Sequence, residues 1–310
     1  MDKLRLGILE FGTGGSIDSL TKIETIIEYA RRADELGFSK FWLSEHHQFY
    51  KNAPWSNPEM LLPIIAAMTD RINVGLAGIL LNIHSPYRVA LNFKLLANLF
   101  PGRIDIGFAK GIPNNSKIIR DLSGQYTFSK TNFFKRLDSI LYYFREDKKL
   151  LGEEIIIPPL GGEIPKLWYL ASSNKSLEIA LEKGLDYSRT IFHEKSDLTY
   201  KKDQLFEFQE KFLEKHDRKA NVNIAIAGFL GKSNKQALSE YRKINGDDSY
   251  HKKIDNSSIV GCINEFYDKI FQYQECYGVD EFIFFNMETN PNKKLENLEI
   301  LSSAFNLKIT

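Results

Sequence analysis

The stretch Gly102-Arg103-Ile104-Asp105-Ile106-Gly107-Phe108-Ala109-Lys110-Gly111 decides the fold. Its apolar run reads as a parallel strand buried on both faces, and it ends on a lysine. Upstream, Phe41-Trp42-Leu43-Ser44-Glu45-His46-His47 has the same form, an apolar run that ends on polar groups. In a (β/α)₈ barrel the C-terminal strand ends are where chemistry sits. One such end carries paired histidines and another a lysine, which points to an enzyme with an anionic ligand.

Working outward from these two strands, short apolar runs alternate with longer amphipathic stretches. Leu4–Leu9 reads as a first strand, followed by a glycine-rich mouth loop (Gly12, Gly14, Gly15). Asp18 or Ser19 caps a helix that runs to Glu35, with Ile23, Ile26, Ile27 and Ala30 on one face. A helix is expected around Glu59–Met68, a strand over Ile72–Leu80, and a helix that Pro86 opens and Phe100 closes. Further strands are expected at Leu167–Ala171, Leu185–Ser188, Val222–Leu230 and Glu281–Phe285. Helices fall at Phe133–Phe144, after Ser176 to Lys183, and at Leu198–His216, Ile259–Tyr277 and Leu295–Leu307. Lys232–Asn256 is polar and reads as a loop with a short helix. About eight βα units predict an α/β fold, a closed (β/α)₈ TIM barrel forming one domain over residues 1–310.

Composition narrows the function classes. The chain has 310 residues, 43% hydrophobic and 13% aromatic, enough for a large core rather than a disordered chain. A formal net charge of +1 gives no global attraction to nucleic acid or an anionic membrane. No apolar run has the length of a spanning helix, and no signal-peptide pattern opens the chain, so a cytoplasmic protein is expected. Cys262 and Cys276 are the two cysteines, both placed in the Ile259–Tyr277 helix. There they would stand about 21 Å apart along the axis, too far for a disulfide.

Side chains alternate across a strand, so His46 and His47 should face opposite ways. His46 is read as the one facing the barrel mouth and His47 as packing between strand and helix. Their spacing is poor for a metal pair, and no H-x-x-x-H or C-x-x-C accompanies them. Structural histidines at a strand end are the alternative. Ala171-Ser172-Ser173-Asn174-Lys175-Ser176 bridges a strand and a helix. It either caps the helix or binds phosphate with Lys110 as a point charge. His84 either lines the mouth or caps the following helix. Arg103 and Asp105 read as a structural pair at the stability face. Phe11, Phe49, Tyr50 and Trp55 serve an apolar substrate or the core equally well. There is no Rossmann fingerprint, Walker loop or nucleophile elbow.

Trp42–His47, Asn73–Leu80, Ser85–Ala90 and Pro101–Gly107, with Val260-Gly261-Cys262 and Gly278-Val279-Asp280, resemble the bacterial luciferase-like monooxygenases of the short, single-chain type. The resemblance spans the chain and is specific for the family, not for a substrate. It implies a TIM barrel that takes FMN, usually in reduced form from a separate flavin reductase, and oxidises a small organic substrate through a flavin hydroperoxide. It also implies a homodimer. His46 resembles the active-site histidine beside the flavin. Lys110 stands where the luciferases carry an arginine for the FMN phosphate, and Ser172, Ser173 and Ser176 match the phosphate-binding turn. Ala77-Gly78 resembles the non-proline cis peptide behind the isoalloxazine ring. The chain also departs from luciferase proper: Lys110 lacks the bidentate fork, Ser172 replaces an acidic residue, and Ala109 replaces a reactive cysteine. The long mobile loop is shortened near Asn245–Ser258. These departures suit a natural-product tailoring enzyme better than a light emitter. Two alternatives stay open: a deazaflavin-dependent hydride-transfer enzyme and a non-catalytic flavin-binding accessory protein.

Overall fold

Most strand residues of this chain are buried, because the strands are covered on both faces. The computed structural model describes residues 4–12, 17–47, 51–124, 131–172, 176–192, 202–245 and 258–308. In chain order the elements are β1 (Arg5–Glu10), α1 (Ser19–Glu35), β2 (Lys40–Leu43), α2 (Leu62–Ala67), β3 (Asn73–Leu80), α3 (Pro86–Leu99) and β4 (Ile104–Ala109). Then come α4 (Ser116–Ser123), α5 (Thr131–Arg145), α6 (Asp147–Gly152), β5 (Lys166–Ala171), α7 (Leu177–Lys183) and β6 (Asp186–Thr190). The last are α8 (Lys202–His216), β7 (Val222–Leu230), α9 (Asn234–Asn245), β8 (Ile259–Gly261), α10 (Ile263–Tyr277), β9 (Glu281–Asn286) and α11 (Pro291–Ala304). Strands β1 to β7 pair in sequence, all parallel. β9 pairs with both β7 and β1 and closes the ring. The result is a (β/α)₈ barrel. The short β8 adds only to the C-terminal end of β7, at Gly228–Leu230.

Strand alternation divides the apolar residues into two cores. Leu6 and Ile8 of β1, Phe282 and Phe284 of β9, and Leu167 and Tyr169 of β5 face the helices. Leu9, Ile283, Phe285, Trp168, Ala225 and Ala227 fill the barrel interior. Below them lies a charged layer. Lys40 Nζ is 3.3 Å from Asp105 Oδ2 and 3.8 Å from Glu281 Oε1. Trp42 Nε1 donates to Asp105 at 2.8 Å. These side chains come from the second, fourth and eighth strands of the ring, the layering expected of such barrels. Gly75 makes room for the layer: a Cβ there would come within 2.4 Å of the Asp105 carbonyl oxygen and 2.6 Å of its Cβ. Burial alone would lower the Lys40 amine, but the charges of Asp105 and Glu281 outweigh it and raise it.

Several elements differ from their expected forms. The Ile259–Tyr277 helix starts at Ile263, and residues 259–261 are β8. Cys262 is therefore the residue before the helix rather than part of it, and both cysteines are free thiols. A 3₁₀ turn, Pro58–Met60, precedes α2 instead of one continuous helix. Arg103 and Asp105 do not serve as one pair. Arg103 donates to the Ala66, Thr69 and Ile72 carbonyls, whereas Asp105 is inside the barrel. Among the described residues no helix is long and apolar enough to cross a membrane.

Candidate active site

At the C-terminal strand ends the barrel opens into a cavity of about 630 Å³. Leu9, Trp42, Ala225 and Ile283 line its depth. His46 follows β2 into its wall, and Ala77, Gly78 and Leu80 of β3 form another side. The Ala77-Gly78 peptide bond is cis. Side chains are excluded at position 78, since a Cβ would lie 2.4 Å from Leu170 Cδ1 and 2.6 Å from the Gly107 carbonyl oxygen. Ala109, Lys110, Ser172 and Ser176 line the rim over β4 and β5. Ser173, expected beside them, lies outside the described residues, as do Phe49 and Tyr50.

The two adjacent imidazoles go different ways. His46 lies against Phe11, ring centroids 5.3 Å apart and tilted by 35°. Phe11 in turn meets Phe285 edge-on at 4.6 Å and Phe192 at 6.3 Å. His47 turns to Glu45 and contacts its Oε1 at 2.7 Å. Glu45 is the residue that sequence reasoning passed over. It is 2% exposed and joins three segments. Its Oε1 also meets His84 Nε2 at 2.7 Å, and its Oε2 accepts from the Leu80 amide at 2.8 Å. It thus ties the end of β2 to the end of β3, two residues past the cis bond.

Burial alone would raise the Glu45 carboxyl. The hydrogen bonds from His47 and His84, the charge on His84 and the Leu80 amide outweigh it and bring it down to about 2. Burial likewise works against the His84 imidazole, but the bond to Glu45 and the charges of Glu45 and Glu59 raise it. Burial raises the Glu59 carboxyl, and nearby Glu45 adds to that. His84 is therefore a charge partner for Glu45. It neither lines the cavity nor caps α3, a role taken by Ser85, whose hydroxyl accepts from the Arg88 amide. The only earlier signal was the glutamate itself, an ionisable residue in an apolar strand end. Trp55 is also outside the cavity and donates its indole N–H to the Ser44 carbonyl.

The rim near β5 is rich in donors. Lys110 Nζ lies 4.9 Å from the Phe134 ring centre, 5.5 Å from Tyr169 and 5.7 Å from Phe133. Among the described residues it pairs with no carboxylate. Asn82 Nδ2 holds its carbonyl at 2.9 Å. Ser176 stands at the N-cap of α7, yet its side chain makes no capping bond. Among the described residues the buried Tyr169 hydroxyl has no hydrogen-bond partner, and Tyr169 also lines the cavity. Buried polar groups are usually paired, so this hydroxyl is one that a ligand could satisfy. Among the described residues no cluster of His, Cys, Asp and Glu suits a metal ion.

Residues 5–259 match the luciferase-like monooxygenase family. YwcH of Bacillus subtilis is 36% identical over 170 residues, which cover 54% of this chain and 50% of YwcH. The chain thus spans about half the length of this relative and of others like it. The N-acetyl-S-alkylcysteine monooxygenase of Bacillus subtilis is 24% identical over 97% of this chain and 98% of its own length. The crystal structure of apo-MsnO8 superposes with a TM-score of 0.83 at 24% identity, covering 99% of this chain and 100% of that one. The oxygenating constituent of 3,6-diketocamphane monooxygenase from Pseudomonas putida, solved with FMN, gives 0.72 at 17% identity, with 99% of each chain covered. An F420-dependent secondary alcohol dehydrogenase gives 0.74 at 14%, covering 99% of this chain and 100% of that one. At these identities the solved structures speak for the fold.

Proposed function

This chain belongs to the luciferase-like monooxygenases, a family of oxidoreductases, and on that premise we propose that it binds reduced FMN and uses molecular oxygen to oxidise a small organic substrate. The donor set at the rim carries the reading. Among the described residues, Lys110 lacks a carboxylate, the Ser176 hydroxyl is not spent on the helix, and the Tyr169 hydroxyl is orphaned. Such a set fits a phosphate monoester. One phosphate turn without a dinucleotide fingerprint favours FMN over FAD.

In this reading Lys110, Ser172, Ser173 and Ser176 hold the phosphate, and the Ala77-Gly78 segment backs the ring system. Reduced flavin, when bound, supplies the electrons that activate oxygen. The chain's own residues supply position, dryness and a proton. Trp42, Phe11 and Phe192 keep water from the inner cavity. An imidazole nitrogen of His46 gives or holds a proton next to the reacting centre, the general acid–base task that histidine most often fills. A separate flavin reductase delivers the reduced cofactor. The chain works as a homodimer in the cytoplasm. The exposed Met60, Ile64 and Met68 around α2, with Leu95 and Leu99 of α3, support the dimer as an apolar surface suited to a second copy.

Anaerobic titration with reduced FMN, followed by mixing with oxygen, tests the reading. Tight binding and a return of oxidised-flavin absorbance slower than that of free reduced FMN are expected. Binding with unprotected reoxidation would favour the accessory-protein alternative. Failure to bind reduced FMN, with binding of reduced deazaflavin coenzyme, would replace it by hydride transfer; one of the fold neighbours is named an F420-dependent alcohol dehydrogenase.

A further inference from the structure

A second crevice, of about 500 Å³, lies at the opposite end of the barrel from the cavity. Its lining comes from strand starts and helix ends: Lys166 opens β5, Asp186 opens β6, Arg145 closes α5 and His216 closes α8. Arg218, just past α8, completes it.

Its charges do not cancel. Arg145 donates to the Lys183 and Gly184 carbonyls at 2.7 and 3.1 Å. Arg218 donates to Asp186 Oδ1 at 2.7 Å and to the same Gly184 carbonyl at 3.1 Å. Two guanidinium nitrogens therefore share one oxygen and lie no farther apart than twice 3.1 Å. Arginine at a helix C-terminus is a common cap, but one carbonyl does not call for two cations. The Lys166 ammonium lines the same crevice, exposed and with no hydrogen-bond or ionic partner among the described residues. Three cations thus face a single carboxylate. The Arg145 guanidinium is lowered by burial and, next, by Arg218, as expected of like charges held close.

We propose that this crevice binds a small dianionic oxyanion of the phosphate class. A dianion matches the surplus of two positive charges, and guanidinium N–H groups suit tetrahedral oxyanions. The site stands on the face where barrel enzymes keep stability rather than chemistry. Its occupancy would lock the ends of α5, α7 and α8 around the starts of β5 and β6.

Calorimetric titration with inorganic phosphate, ionic strength held constant with chloride, tests this. It is run on the full chain carrying Lys110→Met, so that the flavin cavity does not report. A saturable isotherm is expected, weakened about three- to tenfold when Lys166→Met is added. The Lys166 side chain makes no bond among the described residues, so the thermal midpoint in chloride should not move. Arg218→Gln gives a second, independent weakening. The same titration with glycerol 3-phosphate tells a monoester from free phosphate by which binds more tightly. The proposal is overturned if phosphate behaves like chloride, or if binding is indifferent to both Lys166→Met and Arg218→Gln.

Discussion

The barrel interior holds ionisable groups at two levels, and they are treated in opposite ways. On the floor, Lys40, Asp105 and Glu281 are buried together, and Trp42, Ser39 and Asn223 donate to the carboxylates. At the mouth, among the described residues, Lys110 has no carboxylate partner and the Tyr169 hydroxyl has no hydrogen-bond partner. Removing one member of a closed buried set strands the rest, whereas removing an open one costs the fold little. Charge spent inside the molecule holds the barrel; charge left over at the rim awaits a ligand.

The largest expected effect comes from breaking the floor. Lys40→Met leaves the Asp105 carboxylate buried without its cation and Glu281 with only the half-exposed Arg5, 3.8 Å away. Urea unfolding should show a loss of about 3–5 kcal/mol. Lys110→Met should lose no more than about 0.5 kcal/mol. Equal losses would erase the distinction between the two levels.

Next in size is His46→Ala. Turnover should fall about a hundredfold or more, while the Kd for reduced FMN changes by no more than a few-fold. Equal losses in both would make His46 part of the flavin seat instead of a proton carrier. Smaller again, Lys110→Met should weaken FMN binding about tenfold and leave riboflavin binding unchanged. An equal loss for riboflavin would remove the phosphate from the argument.

Sequence patterning reached the barrel because its signal is local. Apolar runs such as Phe282–Phe285 and Val222–Leu230 are buried on both faces and read as strands without any tertiary knowledge. It missed β8 because three residues ahead of a strong helix carry too little periodicity to separate. It missed α4 because eight residues with none fully buried give little more than two turns of pattern to read. His46 lines the cavity as expected, although it and His47 lie past the end of β2, where strand alternation no longer holds, and His47 turns to Glu45. The site was illegible where partners meet across strands. Nothing near Glu45 in sequence announces His84, and nothing near Tyr169 announces that its hydroxyl lacks a partner.

The Glu45 clamp lies between the two levels, and pH sharpens the comparison there. Glu45 is held down at about 2 from an ordinary 4.5, so its contribution is present above 4.5 and is lost as pH falls toward 2. His84 is raised above 6.5, so its contribution is full below 6.5 and is lost as pH climbs through the raised value. The pair is strongest where both are charged, and His47, Glu59 and Arg136 also face it. His84→Gln keeps a donor for Glu45 but removes the charge. Urea unfolding should show a deficit against the wild type of about 1 kcal/mol near about pH 5.5, shrinking by about pH 8.5. A deficit that stays constant with pH would mean that the imidazole is neutral throughout. In that case the clamp would be a hydrogen-bond network without charge, and the mouth would differ from the floor in kind as well as in completeness.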